Sequence, residues 1–459
     1  MIETKLPEFK LDLEEEVDMF PNGKDLSVRH LFDRKDNRIV NTVIVNGRSY
    51  SFGNLMPETK DETEEKRYLK RYAKLAVYKA LSANLGVKLP WGSLTGIRPT
   101  KLAYRELEKN GEFTDFFVNI MKVSEEKTLL TEKVINTQKG IYRKHNDFTD
   151  FFVFIPFCPS RCKYCSFITA DVKSAAKLVD AYVYALIKEI RESKPLIKQL
   201  RSIYVGGGTP VALADDKLEK VLSALDEINT GVEFTVEAGR PDRITEENVK
   251  MLLRHKVTRI CVNPQTFNDK TLKRIGRNHT ASDIIEKYNL VKDKFVVNMD
   301  LIAGLDGETL EDFKHSLDKT ISLNPDNITV HTLCVKKGSV LAEETERLSA
   351  ESVNEMMEYA HSALQKAGYS PYYIYRQKYM AGNLENAGYC KNGKICVYNV
   401  DVMEEICDNI ACGAGAISKF VKNDGEKIIR VPAPKDVAAY IEKTDNIIRD
   451  KFAVKGDNL

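Results

Sequence analysis

The segment Phe151 to Phe167, FFVFIPFCPSRCKYCSF, constrains what this chain can fold into more than any other. An apolar, largely aromatic run leads into Pro156, as a buried strand does. Three cysteines follow at once: Cys158, Cys162 and Cys165, spaced C-x3-C-x2-C. Three thiolates on one short loop can converge on one metal centre. A cubane iron–sulfur cluster has four irons and normally takes four thiolates, so three local cysteines leave one iron open for a non-protein ligand. A structural zinc needs a fourth ligand close by. None of the seven histidines falls inside the loop, and His145 lies upstream. Cysteines packed in a core without any ligand are the third reading. The chain has nine cysteines, an odd number, and no secretory signal, so a disulfide framework is a poor account. Tyr164 and Phe167 place rings where they would shield a cluster and tune its potential.

Length and composition set the frame. At 459 residues the chain should form two or three domains. It is 43% hydrophobic and 30% charged, and 69 Lys+Arg against 67 Asp+Glu leave a net charge of +2. That balance gives no global field for nucleic acid or a membrane surface. The start, MIETKLPEFKLDLEEEVDMF, is acidic where a signal peptide needs a basic start and an apolar core. No apolar run approaches a membrane span. A reducing cytoplasm is the expected setting, and an exposed cluster would favour low oxygen.

Residues 1 to about 60 carry strand-like pieces, including a hairpin over Asn41–Ser51 turning on Asn46-Gly47. A charged helix runs from Asp61 to Leu85, where Gly86 can cap it. PWGSLTGIRPTK, Pro90 to Lys101, is a shaped loop; Arg98 and Lys101 suit acidic groups of a ligand, and packing on a neighbouring domain is the plainer reading. From Phe151 the pattern alternates. Strands are expected at Phe151–Ile155, Ser202–Val205, Glu233–Glu237, Arg259–Val262, Phe295–Leu301 and Asn327–Leu333. Helical stretches separate them, at Ala175–Glu192, Asp216–Asn229, Glu246–His255, Asp283–Lys292 and Leu310–Ser322, and a last one follows at Ala350–Ala367. Such alternation implies a parallel sheet with right-handed crossovers, an α/β fold. In barrel-like folds of this kind chemistry sits at the C-terminal ends of the strands. The unusual residues fall there: the cysteines, Gly206-Gly207-Gly208-Thr209-Pro210, Glu237, Asn263-Pro264-Gln265, Asp300, and His331 to Cys334.

GGGTP lacks the Gly-Lys-Ser/Thr ending of a phosphate loop. Its glycines allow a backbone to approach a ligand closely, or they form a bare turn. Beside the cysteine loop they suit a ligand that chelates the open iron through an amine and a carboxylate, as an amino acid can. Glu237 suits ribose hydroxyls, or a helix-cap or ion-pair role. Gln265, Arg277 and Asp300 suit further polar parts of a ligand, or structural hydrogen bonds. His331 reads as a satisfied core histidine. ACGAGAISKF, Ala411 to Phe420, reads as a small-residue turn, open to ligand approach or tightly packed. Cys390, Cys396, Cys407 and Cys412 match no ligand spacing and read as free buried thiols, with an auxiliary cluster as the alternative.

These residues resemble the radical S-adenosylmethionine (SAM) enzymes. IPFC-x3-C-x-Y-C-x-F and GGGTP are similar to the branch holding oxygen-independent coproporphyrinogen III dehydrogenase. TVEAGRPD, PQTFN, IGRNH and NMDLIAGL resemble it further, and LTGIRPTK, YRQKYMAGNLENAGY and GAGAISKF resemble its Z-type (HemZ-like) subgroup. The resemblance implies a partial (β/α)6 barrel over 146–375, an α+β N-terminal domain over 1–145 and a small C-terminal domain over 376–459 that covers substrate and SAM. It implies that Cys158, Cys162 and Cys165 hold a [4Fe–4S] cluster whose fourth iron is chelated by SAM. Gly207 and Glu237 match contacts of this first SAM. In the best-known branch a second SAM lies nearby; Tyr164, Gly208, Thr209, Gln265, Arg277 and Asp300 match its contacts, and Ile417 and Cys334 match by looser alignment.

Two departures stand out. The family commonly has tyrosine and histidine six and four residues before the first cysteine, where this chain has Phe152 and Phe154. Asn263-Pro264 also replaces the usual small pair before Gln265. The reaction the resemblance implies starts with one electron from the cluster, which cleaves SAM to methionine and a 5′-deoxyadenosyl radical. The radical takes hydrogen from the β-carbon of a coproporphyrinogen III propionate, and loss of CO2 and an electron leaves a vinyl group, toward protoporphyrinogen IX and haem. The propionates call for cations, with Arg98, Lys101, Lys336, Lys337, Arg376 and Lys378 as candidates. A flavodoxin- or ferredoxin-type donor, a monomer and no nucleic-acid partner are expected. The alternatives are another radical-SAM tetrapyrrole enzyme, such as a ring-opening haem methyltransferase, and a haem-binding chaperone.

Overall fold

Strands covered on both faces read as near-continuous apolar runs, and the run into the cysteine loop becomes the first strand of a large sheet. The structure, a computed structural model, describes residues 2–21, 23–96, 98–144, 147–165, 170–334, 349–377, 380–425 and 427–456. His145, Phe167, Lys336, Lys337 and Lys378 lie outside the described residues. The chain divides into two compact units, residues 1–132 with 376–384, and residues 133–375 with 385–459.

In the first unit, β1 (Ile2–Thr4), β2 (Val28–Lys35), β3 (Arg38–Val45) and β4 (Arg48–Leu55) form a sheet in that order. The β3–β4 hairpin turns on Asn46 and Gly47, both at positive φ, as the Asn-Gly pair predicts. α1 (Lys10–Asp18) and α2 (Glu62–Leu85) supply a core with the sheet through Leu13, Val17, Val43, Val45, Ala73, Val77 and Leu81. Asp61 caps α2 by accepting from Glu64 N at 2.8 Å, and Gly86 ends it in the left-handed region. α3 (Pro99–Asn110) and α4 (Glu125–Gln138) follow. The loop before α3 is built for packing: Trp91 is buried, and a Cβ on Gly92 would meet Met121 O at 2.2 Å. Arg376 lies over the Trp91 ring and donates to the Leu94 and Asn383 carbonyls. Its guanidinium thus holds this loop, which removes it from the cations expected to meet substrate.

The second unit carries the alternating pattern. Its strands and helices are β5 (Phe148–Ile155), α5 (Ala176–Ser193), β6 (Gln199–Gly207), α6 (Asp215–Asp226), β7 (Glu233–Gly239), α7 (Glu246–Arg254), β8 (Arg259–Val262), α8 (Asp269–Arg274), α9 (Ala281–Val291), β9 (Val296–Ala303), α10 (Leu310–Leu323), β10 (Asn327–Thr332) and α11 (Ala350–Lys366). After them come β11 (Ser370–Tyr375), β12 (Asn386–Cys390), α12 (Val397–Glu404), β13 (Asp408–Cys412), β14 (Ile417–Lys422), β15 (Lys427–Pro432) and α13 (Val437–Gly456). One 11-stranded sheet runs β11-β12-β10-β9-β8-β7-β6-β5-β13-β14-β15. Strands β5 to β10 are mutually parallel in sequence order, the six-strand partial barrel that the pattern predicts.

A further parallel strand was not anticipated. β13 pairs with β5 in parallel, Asp408 opposite Thr149 through Cys412 opposite Val153. The small-residue stretch read as a single turn is therefore the end of β13, a turn, and the start of β14. Side chains of β5, β6, β7 and α5 to α7 form the main core, including Phe151, Val153, Ile155, Leu186, Val205, Phe234 and Leu252. Among the described residues no helix is long and apolar enough to cross a membrane.

Candidate functional site

β5 delivers the cysteine loop at its C-terminal end. A two-residue parallel pair, Phe157–Cys158 with Ala170–Asp171, pins both feet of the loop, and Lys163 N donates to Ile275 O at 3.0 Å. Cys162 is buried, while Cys158 and Cys165 are half-buried. Arg240, itself buried, donates from Nη1 to Cys162 Sγ at 3.5 Å and to Ser160 Oγ at 3.2 Å. The Asp242 carboxylate orients it from the other side at 2.9 and 3.2 Å. A fixed guanidinium at this distance can balance the negative charge of a metal-bound sulfur. Sequence reasoning passed over Arg240, although a charged pair inside the turn TVEAGRPD was a usable signal.

The glycines of GGGTP are spent on close approach. Gly208 N and Thr209 N donate to Ile155 O and Phe157 O at 2.7 and 2.8 Å, fastening β6 to the root of the cysteine loop. Thr209 Oγ1 lies 3.6 Å from Cys158 Sγ. A Cβ on Gly206 would stand 2.9 Å from the Glu237 carboxyl, and one on Gly207, at φ +105°, would stand 2.9 Å from the Phe154 ring. Phe154 is gripped from the other side too: a Cβ on Gly413 would meet Phe154 O at 2.3 Å, and Tyr182 Oη donates to that carbonyl at 2.5 Å. The small residues on both sides thus seat a phenyl ring where the family has an imidazole.

Next to this lies a cavity of about 180 Å³ lined in part by Tyr204, Glu237, Cys261, Asp300, His331 and Tyr375. Tyr204 Oη donates to Glu237 Oε1 at 2.5 Å. Burial drives the Glu237 carboxyl up to about 7; the Tyr204 bond opposes this and the Asp300 charge adds to it. Asp300 accepts from Asn298 Nδ2 at 2.6 Å, and its Oδ2 lies 3.7 Å from His331 Nε2. His331 therefore faces an acidic pair in a cavity instead of sitting satisfied in a core. Tyr204, Phe152 and Tyr398 stack as a wall, with Tyr204 and Tyr398 centroids 4.4 Å apart and Phe152 and Tyr398 5.9 Å apart.

Arg277 reaches back to the cysteine loop. Its Nη2 donates to Tyr164 Oη at 2.8 Å and its Nη1 to Asn263 O at 3.0 Å, and the guanidinium is buried. Gln265 stands at φ +66°, exchanging backbone hydrogen bonds with β9: its N donates to Asp300 O and Ile302 N donates to its O. A non-glycine residue in that region stores strain, as residues at functional sites do. Asn263 Oδ1 is buried and accepts no hydrogen bond among the described residues. Ile417 stands apart: it is 43% exposed at the start of β14 and does not line the cavity. Cys334 is half-buried just after β10.

Cys390, Cys396, Cys407 and Cys412 are all buried. Cys396 donates to Glu233, Cys407 to Asp150 and Cys412 lies by Ser193, so three of them turn to three different partners. Burial pushes each of the four thiols up.

This donor set fits an iron–sulfur cluster with SAM: three thiols on one loop, a cation beside one sulfur, and an adjoining glycine cradle that any side chain would fill. Known proteins agree. The family model of the Radical SAM superfamily matches residues 152–320. The oxygen-independent coproporphyrinogen-III oxidase-like protein HemZ of Bacillus subtilis is 36% identical over 411 residues, 85% of this chain and 82% of that protein. The heme chaperone HemW of Lactococcus lactis is 36% identical over 230 residues, 48% of this chain and 59% of that one. Coproporphyrinogen III oxidase (HemN) from Escherichia coli shares the fold, with a TM-score of 0.54 at 20% identity over 70% of this chain and 73% of that one. The chain belongs to the radical SAM superfamily, in its HemZ-like, coproporphyrinogen-oxidase-like branch.

Proposed function

We propose that the protein converts propionate side chains of coproporphyrinogen III to vinyl groups by oxygen-independent oxidative decarboxylation. The observation that carries this reading is the reach of the likeness to the oxidase-like relative. It spans 85% of the chain, more than residues 133–375 and 385–459 make up, so it runs into the first unit. The likeness to HemW covers less, 48% of the chain for the Lactococcus lactis protein and 63% for that of Haemophilus influenzae.

When bound, the cluster and SAM supply a 5′-deoxyadenosyl radical, the hard chemistry of the reaction. The chain does the rest. Cys158, Cys162 and Cys165 hold the cluster, and Arg240 balances charge at Cys162. The Gly207 backbone and Glu237 receive the SAM bound to the cluster. Tyr164, Gly208, Thr209, Gln265, Arg277 and Asp300 receive a second SAM, and Arg277 and Tyr164 brace one another for it. The Phe152–Tyr204–Tyr398 wall keeps water from the reacting carbon. An iron–sulfur or flavin protein of low potential supplies the electron.

A second reading, a haem-binding chaperone, is supported by the likeness to HemW. Anaerobic incubation with dithionite, SAM and coproporphyrinogen III, followed by mass spectrometry, tests the two. The proposal predicts products lighter by the mass of CO2 and two hydrogens per propionate. Tight haem binding without substrate-dependent SAM turnover would replace it with the chaperone reading.

A further inference from the structure

At the other end of β5 from the cysteine loop, three ligand-type side chains meet in the interior. Asp150 near the start of β5, Asp401 on α12 and Cys407 before β13 each point one donor atom so that all three atoms lie within 4.8 Å of one another. Asp150 and Asp401 are each 1% exposed and Cys407 is 4% exposed. Burying two carboxyls and a thiol together is costly unless their charge is balanced and their lone pairs are used.

The existing partners do not complete the account. Asp150 accepts from Ser202 Oγ at 2.5 Å and from Cys407 Sγ at 3.2 Å. Asp401 Oδ2 sits 2.6 Å from Arg201 Nε, but without the alignment of a hydrogen bond, and Asp401 Oδ1 meets no donor among the described residues. A second orphan lies close by: Asn409 Oδ1 is buried and accepts no hydrogen bond among the described residues, and Asn409 is the direct cross-strand partner of Asp150. Burial together with the Asp150 charge pushes the Asp401 carboxyl up, the electrostatic cost of placing these acidic groups side by side.

We propose that Asp150, Asp401 and Cys407 form a mononuclear site for a divalent cation of zinc's class, separate from the cysteine loop. With the three side chains deprotonated, a doubly charged ion and Arg201 bring the assembly to neutrality. Tetrahedral zinc with Zn–S of about 2.3 Å and Zn–O of about 2.1 Å sets its ligands roughly 3.5 Å apart, comparable with the present trio, whose donor atoms all lie within 4.8 Å of one another. Ser202 Oγ, Asn409 Oδ1 or a water can take the fourth position. The thiol argues against magnesium and calcium, which want six or more oxygens. The site joins β5, α12 and the lead-in to β13 at the N-terminal end of the strands, where barrel residues serve stability more than chemistry.

The test uses the full chain with its iron–sulfur cluster reconstituted, so that the loop cysteines are occupied. After zinc loading and desalting, metal content and the zinc absorption edge are measured together. The proposal predicts about one zinc per chain with one sulfur and otherwise oxygen or nitrogen neighbours. Cys407→Ser and Asp401→Asn should lose that zinc while their iron is unchanged. Failure of the chain to retain zinc, three or more sulfur neighbours, or full zinc in both variants would each overturn the site. Where a variant does not fold, the wild-type absorption edge decides alone.

Discussion

Tyr204 on β6 donates a 2.5 Å hydrogen bond to Glu237 on β7, and both line the same cavity. The tyrosine is the direct cross-strand partner of Phe152, the position where the family carries its own tyrosine. A phenol is thus present at the site, moved one strand over and aimed at the carboxylate proposed to receive SAM.

Tyr204→Phe removes that donor, and its effect should follow pH. Burial raises the Glu237 carboxyl from 4.5 to about 7, so the folded chain favours the protonated form. Stability from this group is full below pH 4.5 and is lost as pH rises through about 7, while the carboxylate needed for a cationic or hydroxyl ligand accumulates above it. In Tyr204→Phe the carboxylate loses its partner, so the midpoint should move alkaline. SAM affinity of the cluster-loaded chain, titrated from pH 6 to 9, should fall about tenfold near neutrality and recover toward the alkaline end, a charge-assisted bond contributing roughly 1.5–3 kcal/mol. A uniform loss at every pH would assign Tyr204 a packing role only.

Arg240→Gln should make the cluster harder to reduce. The guanidinium at 3.5 Å from Cys162 Sγ stabilises the extra negative charge of the reduced state. A change of about 1.4 kcal/mol corresponds to roughly 59 mV for one electron, so a fall of roughly 50–100 mV is expected in a redox titration followed by electron paramagnetic resonance. Full iron content with an unchanged potential would show that Arg240 serves only Asp242 and Ser160.

Asp300→Ala should keep the cluster and uncoupled SAM cleavage while vinyl formation falls by about tenfold or more. Its partners, Asn298 and His331, are both at the cavity and neither is deep in the core, so the melting temperature should hardly move. Lower thermal stability with normal turnover of the surviving protein would make Asp300 a strand-end brace.

Replacing Cys390, Cys396, Cys407 and Cys412 together should leave about four irons per chain, the content of one cubane. Three of these thiols face separate partners and burial pushes all four up, which does not suit a shared second cluster. Iron content halved by the replacement would establish an auxiliary cluster.

The strand order of the barrel was legible because β5 to β10 are covered on both faces and alternate with amphipathic helices. β13 was not, because DNIAC is short and its small residues look like the turn that follows. The cysteine loop, the glycines and Glu237 were legible from position alone, at strand exits. Tyr204 was hidden, since within IYV it reads as one more core aromatic; its role depends on a neighbouring strand. Asp150, Asp401 and Cys407 were hidden for the same reason, because Asp150 lies far from Asp401 and Cys407 in the chain and meets them only on folding. Arg376 was a candidate for propionates because a guanidinium suits carboxylates, whereas here it donates to two backbone carbonyls and lies over the Trp91 ring.

The central claim is that a propionate β-carbon gives up hydrogen to the adenosyl group within this site. Coproporphyrinogen III deuterated at the propionate β-carbons, incubated anaerobically with reduced protein and SAM, tests it directly through the mass of the 5′-deoxyadenosine formed. The account predicts 5′-deoxyadenosine carrying deuterium, formed in step with vinyl product and absent from Cys162→Ala. Deuterium-free 5′-deoxyadenosine at the same rate with and without substrate would contradict it.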